Sequence, residues 1–342
     1  MKKWLIILSI IFAISSISCV ILAGHIYYNE LQIYEDYDKQ LLNVNALNHI
    51  NINSDVAVNI YPTDGEPYVE FKQKYVDLAG MTPEYTLEVE TKGDSTSIDV
   101  VQTKGILLAL GVKEVGEYIN IYLPKQDIAS LNITNNRYDS YNKVELSNIN
   151  INELDINMHH GDITLEGNYD NLKLSVGHGI INVKTDATVT ILVEGNAQTN
   201  LEGNFKEIDI QDNYDTVNIN SLNACNLILQ CAQAQIDLKG KYNMVKLEGE
   251  YNTLNFNTDG ITNLTTAGEG NAISGVGALD QLAFNEYNGQ IDLQIKNVPS
   301  LVDLKESREF TRLADVGNGK IGALFLCHPH TGCGGEKHHK QN

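Results

Sequence analysis

From residue 154 onward the chain alternates apolar and polar residues in short bursts, and the bursts recur. Apolar pairs begin at Leu154, Leu172, about Thr190, Ile208, Leu227, Val245, Leu264 and Leu282, in steps of 18 or 19 residues. A second pair follows about nine residues into each unit, from Ile163/Leu165 and Ile181/Val183 to Leu254/Phe256 and Ile291/Leu293. A period of two is the mark of a strand with one apolar face, and the Gly- and Asn-rich stretches between the pairs read as turns. A unit of two short strands cannot bury that face alone, whereas stacked units bury a continuous column. The pattern therefore predicts an all-β fold, a parallel β-solenoid with 18–19 residue rungs of two short strands each. A longer period lies over the first. Gly167-Asn168-Tyr169, Gly203-Asn204-Phe205, Gly240-Lys241-Tyr242 and Gly277-Ala278-Leu279 recur every 36–37 residues, so one coil is either 18–19 or 36–37 residues long. In the unit from Leu264, Ile273 is followed by Gly275-Val276, a break in the pattern.

The flanks differ from the array. Residues 49–131 are strand-rich but irregular, with Pro62, Pro67 and Pro83 in the turns, and read as the cap that a stack of open strand edges requires. The regular repeats are expected over 132–326, with a short amphipathic helix over Lys305 to Asp315 and a last strand over Lys320 to Leu326. At the other end, Trp4 to Gly24 is a charge-free run of 21 residues. At about 1.5 Å per residue it would span roughly 30 Å, the thickness of a bilayer core. Lys2 and Lys3 stand before it, and Glu30, Glu35, Asp36 and Asp38 after it, which orients the N-terminus inward and the bulk of the chain outside the cell. The organisation expected is a cytoplasmic tail (1–3), a single transmembrane helix (4–24) and a juxtamembrane spacer (25–48). A cleaved signal ending near Ser16-Ile17-Ser18 and a lipoprotein modified at Cys19 are the competing readings. The rough helical spacing of Leu31 to Leu42 suits a helical spacer or a plain polar linker.

Twenty-four Lys and Arg against 44 Asp and Glu give a formal charge of −20. A nucleic-acid partner requires a basic footprint, so none is expected. The same excess opposes edge-to-edge association of an exposed strand stack.

Ile50-Asn-Ile-Asn-Ser-Asp-Val-Ala-Val-Asn-Ile60, Ile119-Asn-Ile-Tyr-Leu-Pro124 and His160-Gly161-Asp162-Ile163-Thr164-Leu165 resemble the bacterial putative-adhesin family of unknown function, whose rungs read Ser-Ser-Gly-Asp-Ile-x-Ile. The resemblance spans about residues 45–325. His159-His160 replaces the serines, and later rungs lose the Gly-Asp pair. It implies a surface-exposed, often membrane-anchored β-solenoid with no assigned catalytic residues.

Candidate chemistry is sparse. A polysaccharide lyase on such a scaffold needs a basic proton acceptor beside Ca²⁺-holding carboxylates. None of the three arginines (Arg137, Arg308, Arg312) falls within 154–300, and the Asp residues are spread as turn chemistry dictates. No catalytic residue is assigned. Cys327, His328, His330, Cys333, His338 and His339 form the densest set of soft and borderline ligands, in a Cys/His-rich tail over 327–342. The tail reads as a Zn or Cu site, as a loop closed by a Cys327–Cys333 disulfide, or as a disordered His-rich segment. If the coil has 18 residues, His160 and His178 stack on neighbouring rungs about 5 Å apart, with His159 adjacent, as a second candidate for Zn or Cu. Cys225 and Cys231 share the parity of Leu227 and Leu229 and read as small core residues. Thr164, Asn182, Asn200, Asn218, Asp237, Asn255, Ser274 and Asp292 stand outward between the inward pairs. This polar row either bonds rung to rung or docks a glycan or wall polymer. Gly105 to Gly111 is a short apolar run, read as a buried strand or a contacting loop.

The function expected is that of a non-catalytic, single-pass membrane protein that displays an acidic β-solenoid for adhesion, envelope scaffolding or partner binding. Its partner would be an envelope or surface protein or glycan. The alternatives are a metal-binding envelope protein acting through its tail and a glycan-active β-helix enzyme.

Overall fold

Alternation closes the coil in the way the sequence suggests. Leu154, Ile156 and Met158 point inward on one face, Ile163 and Leu165 on the next, and all five are buried. Each fully buried Leu or Ile contributes on the order of 2 kcal/mol. The computed structural model describes residues 12, 14–19, 33–76, 84–104, 117–296, 299–305, 311–315 and 323–326. They form an all-β parallel solenoid of about nine turns. Leu154 pairs with Leu172 and Ile163 with Ile181, and further along Val245 pairs with Leu264 and Ile236 with Leu254. One coil is therefore 18–19 residues, and the 36–37 residue period has another cause. Tyr169, Phe205, Tyr242 and Leu279 are buried at one corner on every second rung. The intervening rungs place Ile151, Cys225 and Ile261 at the same corner, also buried, so the aromatic rings share it with smaller side chains, and Tyr169 and Tyr242 reach past their own rung. The Tyr242 hydroxyl, for example, donates to the Lys239 carbonyl at 2.8 Å on its own rung and to Ile219 at 3.3 Å on the rung before.

Two details depart from the sequence register. In the third unit the inward residues are Val189 and Ile191, both buried, while Thr190 lies between them on the other side of the strand. That turn is one residue short, and the next corner restores the residue. Six residues separate inward Val193 from inward Thr199, where five separate Met158 from Ile163. At the Gly275-Val276 break, a Cβ on Gly275 would stand 2.5 Å from the Phe256 ring. The missing side chain is the room that the ring occupies.

The N-terminal end is built out of sequence order. On the first face, His49–Ser54 lies between Ser95–Lys104 and Asp127–Asn135, parallel to both. On the second, Ala57–Thr63 lies between Glu117–Pro124 and Asn142–Ser147. Antiparallel strands cover the outer edges. Glu84–Lys92 pairs with Ser95–Lys104, Tyr68–Val76 pairs with Glu117–Pro124, and Ile33–Leu41 pairs with Tyr68–Val76. The segment Leu31 to Leu42 therefore supplies a strand over 33–41, not a helical spacer. Its register sets an acidic edge against a basic one. Glu35 pairs with Lys74, the Tyr37 hydroxyl donates to Glu70 at 3.2 Å, and Lys39 Nζ lies 3.6 Å from the centre of the Tyr68 ring. Arg137 fastens the same end, its Nη1 donating to Glu117 Oε2 at 2.6 Å and to the Tyr85 hydroxyl at 3.2 Å.

At the C-terminal end, Thr311–Asp315 is a strand parallel to Gln290–Ile295, and Ala323–Leu326 pairs with it antiparallel. Of the helix expected over Lys305 to Asp315, the described residues, Lys305 and Thr311–Asp315, are strand instead, because an open sheet edge offers a ladder that an isolated helix of this length cannot match. Of the apolar run Trp4 to Gly24, only Phe12 and the helical residues 14–19 are described, and among the described residues no helix is long and apolar enough to cross a membrane. Most of that run, the lysines before it, Gly105 to Gly111 and the tail from Cys327 to His339 lie outside the described residues.

Candidate functional site

The outward row on the second face is continuous. Thr164 is in register with Asn182, Asn200 with Asn218, Asn218 with Asp237, Asp237 with Asn255, and Ser274 with both Asn255 and Asp292. The side chains bond along the stack. Asn200 Nδ2 donates to Asn182 Oδ1 at 2.9 Å, Asn218 Nδ2 to Asn200 Oδ1 at 2.8 Å, Asn255 Nδ2 to Asp237 Oδ1 at 3.1 Å, and Ser274 Oγ to Asn255 Oδ1 at 2.7 Å. An amide carries both a donor and an acceptor, so each one can pass a bond to the next rung and keep free lone pairs and hydrogens for solvent or a ligand. Two residues further along each strand stand Glu166, Lys184, Glu202, Asn220 and Lys239, which with the amide row line an open groove of about 750 Å³ across five rungs. A smaller hollow of about 310 Å³ continues round the corner past Asn148, Asn150 and Asn168. The surface is open, hydrogen-bonding and of mixed charge.

A second set of amides is buried at the opposite corner. Asn252 Nδ2 donates to the Cys231 carbonyl at 2.8 Å and to Asn271 Oδ1 at 3.0 Å, and its Oδ1 accepts from the Ala234 N–H at 2.9 Å. Asn271 Nδ2 in turn donates to the Gly249 carbonyl at 2.8 Å and to Glu286 Oε2 at 2.9 Å. Burial pushes the Glu286 carboxyl above its ordinary range, and the bond from Asn271 opposes the shift. Asp212 has no such support. It occupies the third inward position after Ile208 and Ile210, is 1% exposed, and neither carboxylate oxygen has a hydrogen-bond partner. Burial raises its pKa to about 7. Cys231 stands beside it in register on the next rung, and burial raises its thiol to about 12.

The sequence had pointed to neither acid. Parity was the available signal, since Asp212 and Glu286 follow two inward apolar residues at the same spacing as Met158 follows Leu154 and Ile156. Cys225 and Cys231 are buried and unpaired, as that parity predicts. The His160 and His178 rings do stack across neighbouring rungs, 5.2 Å between centres and 23° apart, with Tyr138 5.3 Å from the rings of both His159 and His160. Among the described residues no group of three His, Cys, Asp or Glu is placed to hold a metal ion. Two imidazoles supply half of a tetrahedral Zn²⁺ shell.

No protein-family model matches the chain, and no curated protein does. Two matching crystal structures are a putative cell adhesion protein from Clostridium sporogenes and a putative adhesin from Parabacteroides merdae. The first is 12% identical, covers 80% of this chain and 99% of its own, and has a TM-score of 0.20. The second is also 12% identical, covers 82% of this chain and 96% of its own, and has a TM-score of 0.26. At those scores the likeness adds nothing to the rung geometry already described.

Proposed function

We propose that the chain is a non-catalytic surface protein, held at a membrane through residues 4–24, that presents its acidic solenoid outside the cell for adhesion, envelope scaffolding or partner binding. The observation that carries this reading is the amide row. It makes a preorganised recognition surface in which Asn182, Asn200 and Asn218, and then Asp237, Asn255 and Ser274, hold one another in place and remain open to solvent. An open array of this kind suits an extended partner, because successive rungs repeat the same contacts at about 4.8 Å. The charge-free run of 21 residues before the solenoid supports the anchoring. Protease added to intact cells should digest the solenoid and leave a short N-terminal fragment with the membranes. A fully protected solenoid would overturn the reading.

The Cys/His tail supplies the alternative, a metal-binding envelope protein. Equilibrium dialysis of Zn²⁺ and Cu²⁺ against the full chain and a chain ending at Leu326 separates the two. A stoichiometric difference between the chains supports the alternative, and equal binding removes it.

A further inference from the structure

One corner between the two faces carries a residue in the left-handed region on five consecutive rungs: Tyr214 (φ 65°), Gln233 (58°), Tyr251 (56°), Gly270 (69°) and Asn288 (56°). Backbone bonds tie these rungs together, the Tyr214 N–H donating to Ala232, that of Gln233 to Glu250, that of Tyr251 to Glu269 and that of Gly270 to Tyr287. Glycine and asparagine suit the conformation, and the same row uses both. Tyrosine does not suit it, because a bulky side chain crowds the backbone there. Burial does not explain the choice either, since Tyr214 is 70% and Tyr251 54% exposed. The Tyr251 ring packs against Gly270, where a Cβ would stand 2.6 Å from a ring carbon, and its hydroxyl donates to Glu269 Oε1 at 3.1 Å. An exposed aromatic ring is thus held in a fixed pose on an unfavourable backbone, the kind of local cost that persists where a contact needs it.

Tyr214 and Tyr251 are two rungs apart, roughly 10 Å along the stack at the usual strand spacing. That distance is close to the repeat of one disaccharide in an extended β-linked polysaccharide, so two rings on this corner would meet the same sugar face twice. Aromatic rings bury the C–H face of a sugar while leaving its hydroxyls to polar neighbours, and the Gln233 amide and the Glu269 carboxylate lie on the intervening and adjoining rungs. The formal charge of −20 repels polyanions. We infer that the Tyr214–Tyr251 corner is a binding track for a neutral, extended, β-linked polysaccharide. It rests on display of the solenoid outside the cell and names a ligand class for that display.

The test is retention of the detergent-solubilised full chain on insoluble cellulose and chitin, with cross-linked dextran as the α-linked control. The pair Tyr214→Asn and Tyr251→Asn removes the rings and places residues that accept the left-handed backbone. Retention on cellulose or chitin should fall at least tenfold while the thermal midpoint stays the same or rises, and Tyr214→Phe with Tyr251→Phe should retain binding. Equal retention on dextran, unchanged retention of the Asn pair, or no retention of the wild-type chain would each overturn the track. As the control off this corner, Tyr138→Asn removes another exposed ring and should bind as wild type, and a loss there equal to that of the Asn pair would overturn the track. Protease shaving of intact cells reports separately on surface display, so a failed track with a digested solenoid leaves that reading standing.

Discussion

Two amide ladders run along this solenoid, and they differ in their surroundings and in what they hold: the outward one joins side chain to side chain, the corner one also ties backbone groups and a carboxylate. The outward one, through Asn182, Asn200 and Asn218, exchanges bonds at 2.8–2.9 Å in contact with water. The corner one, through Asn252, Asn271 and Glu286, makes bonds of 2.8–3.0 Å out of water. The bond lengths match, and the stakes do not. A lost outward bond is replaced by solvent, whereas a lost buried one strands a carboxylate or a carbonyl with no replacement. The corner ladder therefore specifies how rungs stack, and the outward one is left free to meet a partner.

The sharpest way to break that contrast is Asn271→Leu, which removes the donor to Glu286 and to the Gly249 carbonyl at once. Denaturant unfolding should show a loss of about 3–5 kcal/mol, and a loss below about 1 kcal/mol would mean that the corner ladder is dispensable. Next comes Asp212, the acid on the same inward column without an amide to hold it. Its folded pKa of about 7 lies above the unfolded carboxylate value. The folded state therefore keeps a proton that the unfolded state gives up. The stabilisation is complete below about pH 4 and is lost as pH rises through about 7, with a slope of up to about 1.4 kcal/mol per pH unit between them. Unfolding titrations of wild type and Asp212→Asn should show the slope in the first and its reduction in the second. Equal slopes would place the proton elsewhere. Tyr251→Asn, next to the corner ladder, should raise stability by about 1 kcal/mol as the left-handed strain is relieved, read from the thermal midpoint. The smallest effect is expected at Asn200→Ala on the outward ladder, under about 0.5 kcal/mol. A larger loss would show that the outward row is structural after all.

Much of the solenoid was legible because its forces are local. Inward parity placed Leu154, Ile163, Cys225 and Cys231 correctly, and stepping by 18 or 19 residues gave the stack. Thr190 was misplaced by one residue because a short turn and a long corner cancel over two rungs. The polar row was visible for the same reason as the core, being its complement. The corner ladder was not. In an Asn-rich text Asn252 and Asn271 look like any turn residue, and only the path of the neighbouring rungs makes them buried. Ile33–Leu41 was read as a spacer because its partner, Tyr68–Val76, is an antiparallel strand that nothing nearby announces. Helical spacing there is real but weak, and pairing with a distant basic strand overrides it.

The displaced rung at the N-terminal end fixes an order of assembly. His49–Ser54 receives its two neighbours only from Ser95–Lys104 and Asp127–Asn135. A chain that emerges N-terminus first therefore cannot complete its first rung until about 80 further residues have followed, counting from Ser54 to Asn135. Every later rung from Asn150 onward needs only the one before it. Closing that long loop is the slow, entropically costly event, whereas the regular rungs close short local loops and can stack from any neighbouring pair. The end nearest the proposed anchor is thus the part of the stack expected to close last.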